Sequence, residues 1–257
     1  MRNFKAVLEY EGTDFHGFCV QPGFRTVQGA LEEALRQILC ESIKVTGASR
    51  TDSGVHACGQ VINFRTESRL GPPELRRALR ATLPSDILVL DVEEVPIDFD
   101  SRRDAKNKEY VYYIYNGDDL RQALRRYVWR VGYALDIKSM KEAAKELVGK
   151  IDFSSFAVSD DSRDSTNFVR TLFNAEVEEK DFTIPFAGQG SIKLLRMLFV
   201  GDGFLYKMVR SVVGTLVDVG RGRISVGRFR EIIAARRRSE ASATAPPQGL
   251  HLMKVEY

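Results

Sequence analysis

Hydrophobic and polar residues alternate along the first hundred positions in two rhythms. Residues 4–10 alternate with a period of two, which is typical of a half-buried strand. Between residues 26 and 40 apolar side chains recur every three or four positions, which predicts a helix with Thr26 as its N-cap. The pattern predicts three more strands, over residues 42–48, 59–66 and 87–95, and a second helix over residues 72–83. The order β-α-β-β-α-β is that of a ferredoxin-like unit.

The second part of the chain repeats this order with one additional helix. Strands are predicted over residues 109–115, 168–178, 192–200 and 250–256, and helices over 137–148, 204–219 and 226–237. Polar or proline-rich stretches at 158–167 and 239–249 are predicted loops. We therefore expect an α+β fold of two ferredoxin-like or RRM-like units with antiparallel sheets. The predicted domains are residues 1–105 and 106–257, with an active-site cleft between them.

Charge is distributed unevenly, although 38 Lys and Arg against 35 Asp and Glu leave a net charge of only +3. Residues 101–130 hold eight basic and four acidic residues, and residues 201–240 hold nine basic and four acidic residues. Arginine predominates in both windows, as suits bidentate phosphate contacts. The pattern favours a polyanionic partner, with two solvated helix faces as the alternative. The candidate phosphate contacts are Arg102, Arg103, Lys106 and the arginines within 121–130.

The rest of the composition concerns the cellular compartment. No run of apolar residues approaches the roughly 18 needed to span a membrane, and the N-terminal residues lack a signal-peptide core. Three cysteines are too few and too odd a set for a disulfide scaffold, so a reducing compartment is favoured. We expect a cytoplasmic protein without a membrane partner.

One segment combines a carboxylate with small residues and glycines. Residues 47–57 read Gly-Ala-Ser-Arg-Thr-Asp-Ser-Gly-Val-His-Ala, with Arg50 two positions before Asp52. In an extended segment, side chains at i and i+2 lie on the same side, so Arg50 is expected to pair with Asp52 and hold it ionised. Gly47 and Gly54 allow unusual backbone angles and the close approach of a ligand. A surface hairpin turn with a structural ion pair explains the same composition.

The residues also suggest two alternatives, a metal site and a non-catalytic RNA-binding module. His16 with Cys19, and His56 with Cys58, offer possible metal ligands, but neither pair has the spacing of zinc fingers or ribbons. We therefore predict no metal site. A non-catalytic RNA-binding module of the RRM type shares the β-α-β-β-α-β order, yet residues 59–64 lack the consensus that RRMs carry on their third strand.

The segment around Asp52 resembles the catalytic-aspartate motif of the TruA family of tRNA pseudouridine synthases. Ser49 and Ser53 stand where that family usually has Gly and Ala. Further stretches resemble family blocks in the same order, at residues 10–18, 25–29, 31–35, 108–112, 153–156, 208–214 and 244–250. Phe18, Cys19 and Lys108 depart from the family's common Trp, Gln and Arg. The chain is identified as similar to this family over nearly its whole length.

The resemblance implies an isomerase that converts uridine to pseudouridine at positions 38–40 in the anticodon stem-loop of tRNA. It implies base flipping, no cofactor and a homodimer, and the sequence contains neither GxGxxG nor GxxxxGK[ST]. Asp52 matches the essential aspartate, which either attacks C1′ of the ribose or takes a proton from C2′. The sequence does not choose between these roles.

Two residues of the second part also match family positions. Tyr110 matches the active-site tyrosine, whose ring can stack on the uracil and whose phenol can relay the C5 proton. Considered alone, Tyr110 is one aromatic of an aromatic strand. Arg210 lies in an otherwise apolar predicted helix, so its guanidinium is expected to be buried and paired or to face a cleft, with a side chain that extends to solvent as the alternative. The family role implies that Arg50 and Arg210 keep Asp52 deprotonated by charge pairing.

Overall fold

The computed structural model describes residues 1–158, 167–183 and 191–257. The strands in chain order are β1 (Arg2–Tyr10), β2 (Val45–Gly47), β3 (His56–Thr66), β4 (Ile87–Val95), β5 (Asn107–Asn116), β6 (Trp129–Val131), β7 (Gly149–Asp152), β8 (Val169–Thr183), β9 (Ser191–Gly201) and β10 (Leu250–Glu256). The helices are α1 (Val27–Leu39), α2 (Pro72–Thr82), α3 (Ile137–Lys145), α4 (Met208–Gly220) and α5 (Val226–Ala235). The expected α+β class is confirmed. Among the described residues, no helix has the length and apolarity needed to cross a bilayer.

The first compact unit comprises Met1–Lys108 together with His251–Tyr257. Its sheet has the order β4-β1-β3, with β1 antiparallel to both neighbours, and β2 pairs with the outer edge of β3 near Phe64. The other end of that edge is occupied by β10, which runs parallel to β3 and places His251 opposite His56. This pairing is why residues 251–257 belong with the first unit, whereas the sequence-based boundary assigned them to the second.

The helices of this unit form where local signals predicted them. The Oγ1 atom of Thr26 accepts the Gly29 N–H at 3.2 Å, which caps α1 as expected. The helix ends at Cys40, whose positive φ of 54° stops the helical repeat. Its buried stripe includes Leu31 and Leu35, both fully enclosed in the core.

The second compact unit comprises Glu109–Leu250. Its strands follow the order β5-β9-β8-β7, with β8 antiparallel to β7 and β9, and the short strand β6 runs parallel to β5. Phe153, Phe156 and Phe229 pack together in its core, with ring centroids 5.9 to 6.4 Å apart between successive rings. All residues of α4 are buried except Arg210 and Asp218, which are partly exposed.

Several elements differ from the sequence-based prediction. The strand β2 covers three residues instead of 42–48, and α4 begins at Met208 instead of 204 because Lys207 adopts a left-handed φ of 58°. The short strands β6 and β7 were not predicted. The loop predicted at 158–167 falls on residues 159–166, which lie outside the described residues.

Candidate functional site

Asp52 lies in the turn between β2 and β3, and its side chain is partly exposed. The backbone of this turn is fixed on both sides of the residue. The Phe18 N–H donates to the Thr51 carbonyl at 3.0 Å, and the Val55 N–H donates to the carbonyl of Asp52 itself at 3.2 Å. Gly54 has a positive φ of 77°, and its N–H donates to the Phe15 carbonyl at 3.3 Å. The backbone that carries the Asp52 carboxylate is therefore held by hydrogen bonds on both sides of the residue.

A loop of residues 12–18 packs directly against this turn. A methyl group on Gly12 would lie 1.9 Å from the Val55 carbonyl oxygen, and one on Gly17 would lie 2.8 Å from the Thr51 carbonyl oxygen. The two backbones can approach this closely only because both positions are glycine. The Ser53 hydroxyl also donates to the Phe15 carbonyl at 3.2 Å, so the loop supports the turn through backbone contacts.

Buried polar side chains lie beneath the turn. Gln60 donates from Nε2 to the Ser49 carbonyl at 2.6 Å and accepts the Ser49 N–H at 3.2 Å. The hydroxyls of Tyr10 and Thr51 are 2.8 Å apart and share a hydrogen bond. Burial raises the pKa of Tyr10 to about 12, against the opposing effect of its hydrogen bonds to Thr51 and Gln60. The Tyr10 phenol is thus neutral at working pH.

The ion pair expected between Arg50 and Asp52 does not form in the described structure. Arg50 is exposed and has no ion pair or hydrogen bond with another described residue. The buried Lys108 contacts the same segment instead, because its Nζ donates to the Ala48 carbonyl at 2.6 Å. Sequence reasoning therefore predicted for Arg50 a partner that it does not contact among the described residues, and it assigned no role to Lys108.

Tyr110 lies on β5 in the second unit and is 5% exposed. Its ring meets Phe204 edge to face, with the ring centroids 4.9 Å apart and the planes at 76°. Phe204 lies in the segment between β9 and α4, so the aromatic pair joins β5 to the segment that leads into that helix. Phe204 therefore continues the apolar spacing of α4 without being part of the helix, because its ring packs against Tyr110.

Arg210 lies in the first turn of α4 and is partly exposed. Its Nε donates to the Ala245 carbonyl at 2.8 Å, and the Ala245 N–H donates to the Arg210 carbonyl at 3.0 Å. The Tyr112 hydroxyl donates to the Pro246 carbonyl at 2.7 Å, which holds the next residue of the same segment. Burial raises the pKa of Tyr112 far above its ordinary value, and the positive charge of Arg210 opposes that rise.

The predicted site residues are thus distributed over the two units. Arg50 and Asp52 belong to the first unit, and Tyr110 and Arg210 to the second. Their assembly at one substrate stays a prediction. Sequence reasoning missed the supporting residues Tyr10 and Gln60, whose contacts with the turn join positions that are far apart in the chain.

The two basic windows behave differently. In the second window six arginines form surface ion pairs with carboxylates, namely Arg221, Arg223, Arg228, Arg230, Arg236 and Arg237. These contacts correspond to the solvated-face alternative. In the first window Arg103 and Arg130 are similarly paired. The exposed side chains of Arg102, Lys106, Arg121 and Arg125 have no ion-pair partner among the described residues.

Of the two histidines named above as possible metal ligands, His56 has other contacts. His56 accepts the Gly12 N–H on its Nδ1 atom at 3.1 Å, and its ring stacks on His251 with the centroids 4.8 Å apart. Within residues 1–158, 167–183 and 191–257, no three His, Cys, Asp or Glu side chains are grouped so that they could hold a metal ion.

Comparisons with known proteins match the whole length of the chain. A family model described as tRNA pseudouridine synthase matches residues 6–104 and 143–257. The tRNA pseudouridine synthase A of Acetivibrio thermocellus is 41% identical over 257 residues, which is 100% of both chains. That of Listeria monocytogenes serovar 1/2a is 42% identical over 259 residues, again 100% of both chains. That of Geobacillus sp. is 41% identical over 257 residues, covering 100% of this chain and 98% of the relative.

A solved structure of an H/ACA RNP bound to a substrate RNA containing 2′-deoxyuridine covers 84% of this chain and 53% of its own chain. At 14% identity and a TM-score of 0.32, that similarity is too weak to support a conclusion. The sequence matches are much stronger than this structural similarity, because the family model covers most of the chain and the relatives align with it from end to end. The chain therefore belongs to the TruA family of tRNA pseudouridine synthases.

Proposed function

We propose that the protein isomerises uridine to pseudouridine in tRNA, at positions 38–40 of the anticodon stem-loop, with Asp52 as the essential carboxylate. The observation that carries this proposal is the placement of Asp52 on a hydrogen-bonded turn with a partly exposed side chain. A carboxylate held in this way keeps its direction when a flipped nucleoside arrives. Membership of the family and full-length matches to tRNA pseudouridine synthases A support the same reaction.

The reaction rearranges the substrate's own atoms. The bond between C1′ and N1 breaks, the uracil turns over, and a bond forms between C1′ and C5. N1 gains a proton, and the hydrogen on C5 is lost to solvent. Asp52 either attacks C1′ or removes the C2′ proton to open the first of these steps, and both roles require it as the carboxylate. No electron is transferred, so the proposal requires no redox cofactor.

The other predicted residues have supporting roles in this proposal. The Tyr110 ring stacks on the uracil, and its phenol relays the C5 proton. Arg210 presents a guanidinium that is already oriented by the Ala245 carbonyl, and it stabilises the carboxylate of Asp52. Arg50, exposed beside Asp52, contacts the RNA backbone. The enzyme acts as a homodimer on the anticodon arm.

The test is tritium release from tRNA labelled at C5 of uridine. We expect release by the wild-type protein, and release of less than about one thousandth of that rate by Asp52→Asn with tRNA binding retained, as for loss of an essential catalytic group. Substrates carrying a single uridine at position 38, 39 or 40, with cytidine at the other two, locate the target. No release from any such tRNA would refute the enzymatic proposal. Release only from uridines outside the anticodon arm would refute the assigned positions.

A second pair of variants tests Tyr110. Tyr110→Phe keeps the ring and removes the phenol, so a proton relay predicts a lower kcat with an unchanged KM for tRNA. Tyr115→Phe makes the same change on the same strand and serves as the matched control. If Tyr110→Phe retains full kcat, the proton-relay role is wrong and only the stacking role remains.

A further inference from the structure

The backbone ladder between β2 and β3 gives way to a side chain just before the Asp52 turn. The Ala48 N–H still donates to the Val61 carbonyl at 2.8 Å, in the manner of a strand pair. At Ser49 the Gln60 amide takes over, donating to its carbonyl at 2.6 Å and accepting its N–H at 3.2 Å. One side-chain amide therefore satisfies both backbone groups of Ser49 at the point where the two strands separate.

A second anchor lies two residues further along. The Thr51 and Tyr10 hydroxyls are 2.8 Å apart, and the Gln60 Nε2 atom lies 3.4 Å from the Tyr10 oxygen. Gln60 is 0% exposed, Tyr10 3% and Thr51 6%. These three side chains thus form one network closed to water, and hydrogen bonds in such surroundings are stronger than at the surface.

The two anchors determine which side chains face outward. Thr51 is buried, while its neighbours Arg50 and Asp52 are exposed and partly exposed, so of these three residues only Thr51 faces the interior. Anchoring residues 49 and 51 to the interior therefore restricts the directions open to the side chains of residues 50 and 52.

We propose that Gln60 and Tyr10 are positioning residues for the isomerisation, which set the direction of the Asp52 carboxylate by anchoring Ser49 and Thr51. The inference rests on the proposed function, in which Asp52 is the essential carboxylate. Neither residue touches the reacting atoms in this account. Their contribution is geometric, and its loss lowers turnover more than substrate binding.

The first test replaces Gln60 by Met, which keeps the side chain's length and removes both polar atoms. A misplacement of about 1 Å at a reacting group lowers the rate about a hundredfold, so we expect Gln60→Met to lower kcat by about that factor. Tyr10→Phe removes the hydroxyl that contacts Thr51 and Gln60 but leaves the Gln60 bonds to Ser49, and it is expected to lower kcat about tenfold. The KM for tRNA should change less than about twofold, because the phosphate contacts lie outside this network.

Two matched controls separate positioning from stability. Tyr257→Phe removes a hydroxyl that donates to the Ser101 carbonyl at 2.7 Å in the same unit. Asn63→Leu removes a 6% exposed amide on β3, the strand that carries Gln60, and breaks its bond to the Ser101 N–H. Both controls should lower the melting temperature and leave kcat within about twofold.

The double variant of Gln60→Met and Tyr10→Phe should lose less kcat than the product of the two single losses, because both residues act through one network.

If Gln60→Met does not fold, the pair Thr51→Val and Thr51→Ser decides. Thr51→Val keeps the shape without the hydroxyl and should lose about tenfold in kcat, whereas Thr51→Ser should retain it. Folded Gln60→Met and Thr51→Val proteins that keep kcat within twofold would overturn the inference, as would losses equal to those of the controls.

Asp52→Asn in the same assay distinguishes failure of this inference from failure of the proposed function. If it releases tritium like wild type, or if wild type releases none, the proposed function fails and the inference fails with it.

Discussion

Replacing Gly12 by alanine should move the turn that carries Asp52, and the structure provides the size of the movement. The new methyl group would lie 1.9 Å from the Val55 carbonyl oxygen, although such contacts do not fall below 3.0 Å. Backbone atoms must therefore shift by about 1 Å, and the Val55 N–H is bonded to the Asp52 carbonyl. A misplacement of that size lowers the rate about a hundredfold, which corresponds to ~2.7 kcal/mol in the activation free energy. Overpacking should also reduce the free energy of unfolding by about 1–3 kcal/mol.

The assay measures kcat by tritium release, together with the melting temperature of each variant. Gly227→Ala in α5 is the matched control, because the nearest atom to its methyl group is the Ser225 hydroxyl oxygen at 3.8 Å. We expect this control to keep full activity and to gain up to about 1 kcal/mol of stability from its helical position. The reasoning is refuted if Gly12→Ala keeps kcat within threefold of wild type and melts at the same temperature.

Three further predictions concern stability. Burial raises the pKa of Tyr10 to about 12, so the contribution of Tyr10 to the free energy of unfolding is complete below pH 10, where an unfolded tyrosine starts to ionise, and is lost as the pH rises toward 12. Tyr10→Phe should therefore lose less stability at alkaline pH, as measured by urea denaturation. A pH dependence of stability that is unchanged in Tyr10→Phe would contradict the assignment. Thr26→Ala should reduce the free energy of unfolding by about 1 kcal/mol through loss of the Gly29 cap, while a Thr26→Ser protein equally destabilised would argue against the cap. Tyr112→Phe should reduce it by about 1 kcal/mol, because the Pro246 carbonyl loses its donor, and a thermal melt identical to wild type would show that water replaces the hydroxyl.

The parts of the fold that could be predicted depend on local signals. The helix α1 was predicted together with its cap, since the 3.6-residue periodicity and the hydroxyl of Thr26 both act within a few residues. The start of α4 was predicted four residues early, because Phe204 continues the apolar pattern while its ring packs on Tyr110. The strands β6 and β7 have only three and four residues, too few for a period-two pattern to be recognised.

The sequence singled out the residues of the candidate site but did not predict their contacts. The resemblance singled out Asp52, whose role stays a prediction, and the ion pair expected between Arg50 and Asp52 is not among the contacts of the described residues. The support from Gln60 was not predictable from spacing. Its amide reaches across eleven positions to Ser49 in a network that only tertiary structure creates.

The placement of His251–Tyr257 in the first unit affects the order in which the protein can fold during synthesis. The ribosome makes residues 1–108 early, but the stretch that pairs with β3 emerges only after all of residues 109–250. Until then the exposed edge of β3 beside His56 offers unpaired N–H and C=O groups, which invite pairing with other chains. The nascent N-terminal unit therefore keeps this edge open until residues 251–257 have been made, and during that interval it is exposed to pairing with other chains.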